Sequence, residues 1–371
     1  MHDQLLDLFL RLVAVDSPSG HEQAVAELVA TELRSLGLEP QWDEAHKTSP
    51  AECGNVLALL PATAEGYPPL LLNAHVDTVT HDQPIVAIVE DGVVRSAENT
   101  ILGADDKAGV ALLLVAARRL VEERLPHGDL WLVFTVAEEI GLWGAREMDF
   151  TRLEPWPEMG LVLDGGRRAG EMVTGAPSAT ALDVTLTGKA AHAGVCPEDG
   201  ISAIAVAARA IAEMRLGRLD EETTANVGTI CGGSARNIVP ETCTLQAEAR
   251  SYSPEKLAAQ LQHMQEQILQ AAEAAGAHAE IEVQESYRTF LLSEEAPVVQ
   301  RARAAAERLG LTPHTQHGGG GSDANVFNQR GIPSVILSTG AAEVHTPQEE
   351  WWLEVAEESL QWVLEIVTSQ G

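Results

Sequence analysis

The chain is poor in positive charge. Its 371 residues hold 24 lysines and arginines against 55 aspartates and glutamates, a formal net charge of −31. So acidic a surface repels phosphate backbones and anionic headgroups, which argues against nucleic acid and anionic membrane as partners. Cysteine is scarce as well. Cys53, Cys196, Cys231 and Cys243 lie far apart and form no Cys-x-x-Cys pair. A disulfide framework or a thiolate zinc site is therefore disfavoured, and small buried hydrophobes remain as the reading. The amino terminus, Met-His-Asp-Gln, lacks the basic region of a secretory signal, and no uncharged apolar run approaches membrane length. No internal repeat or low-complexity segment is present, although Gly318 to Gly321 are four consecutive glycines. The expectation is a soluble cytoplasmic protein. With 45% apolar residues and this length, it has room for two domains and a large core.

The order of elements predicts an α/β fold with an insertion. Leu5, Leu6, Phe9, Leu12 and Val13 keep helical spacing, and Ser19 with Glu22 predicts a capping box for a second helix ending near Gly37. Short apolar runs at 56–60 and 70–73 read as strands, and Asp91-Gly92 as a hairpin turn. The run Val110 to Ala117 is too long and too rich in alanine and leucine for a typical strand, and predicts a buried helix. Strands follow at 130–136 and 161–163, so that strands and helices alternate as in a sheet covered on both faces. From residue 177 the order becomes β-α-β-β-α-β, the split arrangement of a small ferredoxin-like module, through residue 286. The α/β pattern then resumes. The predicted domains are a discontinuous one, 1–176 with 287–371, and an inserted one, 177–286.

Candidate ligands cluster where strands end, which is where open α/β sheets place their sites. His75 and Asp77 in Asn-Ala-His-Val-Asp-Thr share one face by the strand period of two, close enough for the carboxylate to orient the imidazole. Asp105 and Asp106 sit in Gly-Ala-Asp-Asp-Lys-Ala-Gly, a tight turn at the entrance of the buried helix, with Lys107 as a local counter-charge. Glu138 and Glu139 close the strand 130–136 and point in opposite directions, so one can serve a metal and the other water. Asp164 closes the next strand, and His345 follows a strand of the returning segment. Taken singly, each reads better as a solvated strand end, an ordinary turn or a loop histidine. Together, two histidines and three carboxylates of matching hardness suit two divalent metals at ~3.5 to 4 Å with a bridging hydroxide as nucleophile. No cysteine lies near them in sequence, which points to hydrolysis rather than thiolate chemistry.

In this order, His-x-Asp, Gly-Ala-Asp-Asp-Lys-Ala-Gly, Ala-Glu-Glu-Ile-Gly, Leu-Asp-Gly-Gly, Ala-His-Ala-Gly and a late histidine resemble the di-zinc aminoacylase and carboxypeptidase G type metallopeptidases, most closely the peptidase T-like group. The resemblance spans nearly the whole chain. It implies a zinc-peptidase catalytic domain, a mixed sheet covered by helices, with the insertion as a lid and dimerisation domain. It further implies that Asp105 bridges two ions, His75 and Asp164 completing one site and Glu139 and His345 the other, with the Asp105-Asp106 peptide bond cis. Glu138 would be the general base and Asp77 the support of His75. His192 in Ala-His-Ala-Gly would reach a partner subunit's site, Asn237 and Arg250 would contact substrate, and Gly320 would line the substrate cleft within a glycine-rich segment. Without the resemblance His192 reads as a polar loop residue, Arg250 as a charged strand end and Gly320 as part of a flexible loop.

The expected activity is that of a cytoplasmic, homodimeric exopeptidase releasing N-terminal residues from short peptides such as tripeptides. In the family, aspartate at the position of Asp164 goes with aminopeptidases and dipeptidases. Zinc is the expected metal, with cobalt or manganese acceptable to the same ligands. A deacylase or carboxypeptidase is the alternative within the enzyme class. A non-catalytic peptide-binding relative is the alternative outside it.

Overall fold

The computed structural model describes residues 2–370. It divides into two units, Met1–Ala176 with Leu291–Gly371, and Pro177–Phe290.

The larger unit is built on a mixed sheet. Its strands run in the order Gln41–Trp42, Val56–Leu60, Leu130–Thr135, Leu70–His75, Met159–Gly165, Ser334–Ser338, Glu171–Ala176. The middle four are parallel, and the neighbours that flank them are antiparallel. Leu70–His75, Leu130–Thr135 and Ser334–Ser338 bury every residue, which is why they read as continuous apolar runs rather than as alternations. After Leu70–His75 the chain crosses to Leu130–Thr135 on one side and later to Met159–Gly165 on the other. The strand order thus reverses around Leu70–His75, and a crevice opens at the carboxyl ends of these strands.

The crossover between the first two is the helix Ala104–Glu122. Its mostly alanine, leucine and valine side chains are buried nearly all round, between Leu70–His75 and Met159–Gly165 below and the helices His2–Val13 and Leu353–Thr368 above. Gly109 makes that approach possible. A Cβ there would stand 2.0 Å from the Leu163 carbonyl oxygen. A small antiparallel sheet, Ala341–Ala342, Glu350–Trp352, Val93–Ser96 and Ala87–Glu90, contains the expected Asp91-Gly92 hairpin. Trp351 anchors it in the core, stacked on Phe9 with ring centroids 4.0 Å apart.

The second unit has four long antiparallel strands in the order Thr223–Gly232, Thr242–Ser251, Ser178–Thr187, His278–Tyr287, with a two-residue strand, Gly217–Arg218, at the edge. The helices Ala203–Glu213 and Pro254–Ala275 pack on one face, over Leu182, Val184, Leu186 and Leu245, with Met264 of the second helix buried among them. Ser202 and Ser253 cap these helices, accepting from the N–H groups of Ala205 and Lys256. Element order and strand order are those of a ferredoxin-like module.

Two local expectations are corrected. Ser19 caps nothing: its hydroxyl donates to Asp77 Oδ2 at 2.6 Å, and the second helix, Gln23–Ser35, starts without a side-chain cap. Glu22 instead accepts the N–H groups of Gly20 and Glu52. Lys107 is not the counter-charge of its turn either. It is fully buried and donates to the Val15 carbonyl at 2.6 Å, and burial lowers its ammonium to about 8.

Candidate active site

The Asp105 turn is shaped by its neighbours. Gly103 has φ 73°, Asp105 and Asp106 leave helical geometry, and the peptide bond between them is cis. Asp106 does not face out of the turn. Its carboxylate accepts the N–H of His75 at 3.2 Å and that of Gly109 at 3.1 Å, fastening the helix start to the end of the strand Leu70–His75. Asp105 is left projecting. Its Oδ1 lies 3.1 Å from His75 Nε2 and its Oδ2 3.1 Å from His345 Nε2. His345 also meets Glu139 Oε1 at 3.0 Å.

Asp77 is fully buried and ties two strand ends to the loop that holds Ser19. Its Oδ1 accepts the Glu138 N–H at 3.0 Å, its Oδ2 accepts the Glu139 N–H at 3.2 Å and the Ser19 hydroxyl, and its backbone carbonyl lies 3.1 Å from His75 Nδ1. The imidazole is held by its Nδ1 edge so that Nε2 faces Asp105. Asp164 ends the neighbouring strand and lines a cavity of about 260 Å³ together with Asp105, Asp106, Gly165, Arg167 and Thr339.

The electrostatics are those of crowded anions. Burial pushes Asp164 up to about 8, with Asp105 adding to the shift, and burial likewise raises Glu138 and Glu139. Hydrogen bonds to Asp105 and Glu139 lift His345 to about 10. Burial works against Asp105, yet the two histidines hold it below the usual carboxylate range. A cation would relieve this crowding. Ligand atoms of His75, Asp105 and Glu139 lie within 4.8 Å of one another, a spacing and a donor chemistry that fit a divalent metal ion.

The structure therefore brings His75, Asp77, Asp105, Glu139 and His345 into direct contact and sets Asp164 on the same cavity as Asp105. Glu138 is buried, and the charges of His75, Asp164 and Glu139 act on it. Gly320 lies on the exposed loop before the helix Asp323–Gln329. In the second unit His192 is exposed, and its loop is laced to the Asn237 loop by the Ala193 N–H to Asn237 carbonyl bond at 3.0 Å and the Val239 N–H to Ala191 carbonyl bond at 2.9 Å. Arg250 does not present a free fork: both its arms bind Glu248, two residues away on the same strand, at 3.1 and 3.0 Å.

Two acids join the site that sequence reasoning had not singled out. Glu349 is buried, and its carboxylate accepts the N–H groups of Leu102, Gly103 and Asp105. Asp323, also buried, accepts from Thr135 and Asn73 below the strand ends, and burial lifts it to about 6. An acid four residues after a site histidine is visible in His345-Thr-Pro-Gln-Glu349, but nothing in the sequence says where it reaches.

The model of peptidase family M20/M25/M40 matches residues 71–369. The aminopeptidase PepT of Bacillus cereus is 40% identical in sequence, with a TM-score of 0.84 over 99% of this chain and 98% of that one. A tripeptidase of Staphylococcus aureus is 39% identical, with a TM-score of 0.90 over the same shares. The Bacillus subtilis protein YqjE is 38% identical over 364 residues, 98% of this chain and 97% of its own. The chain belongs to the M20/M25/M40 peptidases. Within that family it is peptidase T-like, and it shares the mixed α/β fold of the two solved peptidases.

Proposed function

We propose that the chain is a cytoplasmic, di-metal exopeptidase that removes the N-terminal residue of short peptides such as tripeptides. The observation that carries this reading is the placement of Asp105, which turns one oxygen to His75 and the other to His345 at equal distances of 3.1 Å. A carboxylate so flanked suits a shared ligand, with His75 and Asp164 completing one ion's set and Glu139 and His345 the other's. Zinc is the metal favoured, with cobalt or manganese compatible. When bound, the ions would polarise the scissile carbonyl and lower the pKa of the attacking water.

The remaining work falls to the chain itself. Glu138, buried and raised in pKa, accepts a proton from the attacking water and returns it to the leaving amine. Asp77 keeps His75 oriented and holds the backbone that presents Glu138 and Glu139. The cavity beside Asp164 receives the residue to be released. His192 and Asn237 are proposed substrate contacts from the second unit, His192 acting on a partner's site in a homodimer, and the Gly320 loop is a proposed wall of the cleft. Arg250 is proposed as a carboxylate anchor that would first have to exchange Glu248 for the substrate.

The test is a substrate panel on zinc-, cobalt- and manganese-loaded protein. Turnover of free di- and tripeptides, with little on acetylated amino acids, is expected; the reverse preference would establish a deacylase. Sedimentation of a fully active monomer would remove the dimer and the trans role of His192.

A further inference from the structure

Glu349 stands four residues after His345, in a segment pinned to the core. Trp351 is fully buried against Phe9 and its indole N–H donates to the Thr339 carbonyl at 2.9 Å. Glu350 to Trp352 are paired with Val93 to Arg95. The Glu349 carboxylate reaches from this fixed base into the Asp105 turn. Its Oε2 accepts the N–H groups of Leu102 and Gly103 at 2.8 and 2.9 Å, and its Oε1 accepts that of Asp105 at 3.0 Å.

Three backbone donors converging on one buried acid make a nest that only an all-acceptor group fills. A glutamine in its place would turn its NH₂ toward at least one N–H, and an alanine would leave three donors buried without partners. The histidine at the near end of the same segment is half exposed, in a loop with φ 63°, and its contacts are with Asp105 and Glu139. One side chain thus connects the loop of one candidate ligand to the backbone of another.

We infer that Glu349 is a positioning residue that locks the Asp105 turn to the His345 loop, so that the two ligands are set at their mutual distance before a metal ion arrives. Preorganised ligands bind a cation more tightly than ligands that must be ordered on binding. The inference rests on the di-metal reading of this site.

The experiment is cobalt(II) binding by competition with a chromophoric chelator, read together with the visible absorption of the bound cobalt. It compares the full-length chain with Glu349→Ala, Glu349→Gln and the control Glu350→Gln. The unaltered chain and the control are expected to bind two ions alike. Both Glu349 variants should bind at least one ion tenfold or more weakly, with a changed cobalt spectrum, while far-UV circular dichroism stays native. The glutamine variant, matched in size, decides the matter if the alanine variant is insoluble. Unchanged affinity and spectrum in Glu349→Gln would overturn the inference, and so would cobalt loss that only parallels loss of folded protein. An unaltered chain that binds two cobalt ions but cleaves no peptide would sink the peptidase reading and leave this one intact.

Discussion

Leu70–His75 and Thr242–Ser251 are both strands at the middle of their sheets, and they bury their residues in opposite ways. The first buries all six of its side chains. The second alternates, with Cys243, Leu245, Ala247 and Ala249 inward and Thr242, Thr244 and Gln246 exposed. A strand covered on both faces can hold a polar side chain inside it only where a buried partner meets it, as Asn73 meets Thr135 and Asp323, and the larger unit's central strands end in His75, in Glu138 and Glu139, and in Asp164. A strand covered on one face spreads its polar residues along its length, where each is solvated and none is forced against another. The chemistry is therefore concentrated where burial leaves acids no alternative but to share a partner. The second unit offers its candidate residues on exposed loops or, as with Arg250, already paired on the sheet.

The widest gap between the two regions should appear on replacing Glu138 by alanine. Loss of a general acid–base group costs roughly 10²- to 10⁴-fold in rate, so peptide turnover should fall into that range while the bound metal remains near two ions per chain. Retained turnover would show that another group moves the proton. Because Glu138 projects from a backbone held by Asp77 rather than holding anything itself, thermal stability should change little.

Next in size is Gly109→Ala, which asks how tightly the buried helix must meet the strand ends. The new methyl would stand 2.0 Å from the Leu163 carbonyl and 2.4 Å from Asp106 Oδ1. Backbone must move, at a cost of about 3 kcal/mol, and the displaced Asp106 should release the His75 N–H. A large drop in the denaturation midpoint joined to weaker metal binding is expected. An alanine variant of native stability would mean that the helix can slide away without consequence.

How much of this was legible beforehand follows from the same contrast. The continuous apolar runs announced the buried strands and the helix Ala104–Glu122, and the paired acids after them announced the site, because both patterns are local. The strand Glu171–Ala176 and the pairing of His314–His317 with it were not foreseen; their residues are mixed in polarity, and the pairing joins segments far apart in sequence. Ser19 was misread for a similar reason. Ser-x-x-Glu is a sound local capping signal, but Asp77, 58 positions away, offers the hydroxyl a buried charged acceptor, and a charge-assisted bond outweighs a cap. Glu349 and Asp323 were missed because their partners are backbone groups or strand residues about 190 to 250 positions away, and no spacing rule reaches that far.

A smaller effect separates the regions by pH. With divalent ions removed by a chelator, Asp164 holds its proton more tightly folded than unfolded, having moved from 3.8 to about 8. Its contribution to stability is complete below the ordinary value and is lost as pH rises through about 8. His345, raised from 6.5 to about 10, acts in the same sense at higher pH. Asp105, held low, is already ionised throughout and adds no slope. The stripped protein should thus lose stability steadily from pH 5 to 8 in urea titrations, whereas the metal-loaded protein, in which a cation replaces the protons, should not. A stripped protein whose midpoint is flat or rises over that interval would mean that these acids are better solvated than their burial implies.

The smallest effect belongs to the open face of the second sheet. Glu282 lies directly across from Asp183, two like charges on neighbouring antiparallel strands, and Asp183 accepts a hydrogen bond from the Gln246 amide at 3.1 Å. Like charges so placed are destabilising, and opposite charges contribute roughly 0.2 to 1 kcal/mol. Glu282→Lys should therefore raise the thermal midpoint by a degree or two without changing turnover, and 0.5 M salt should erase most of the gain, since both side chains are solvated. A substitution of this kind has no counterpart on Leu70–His75, where each side chain is buried and a lysine would have to be driven into the core. If Glu282→Lys proved destabilising instead, the face would have to be covered by something that the Glu282 carboxylate already serves, and the contrast between a sheet with one free face and a sheet with none would fail there.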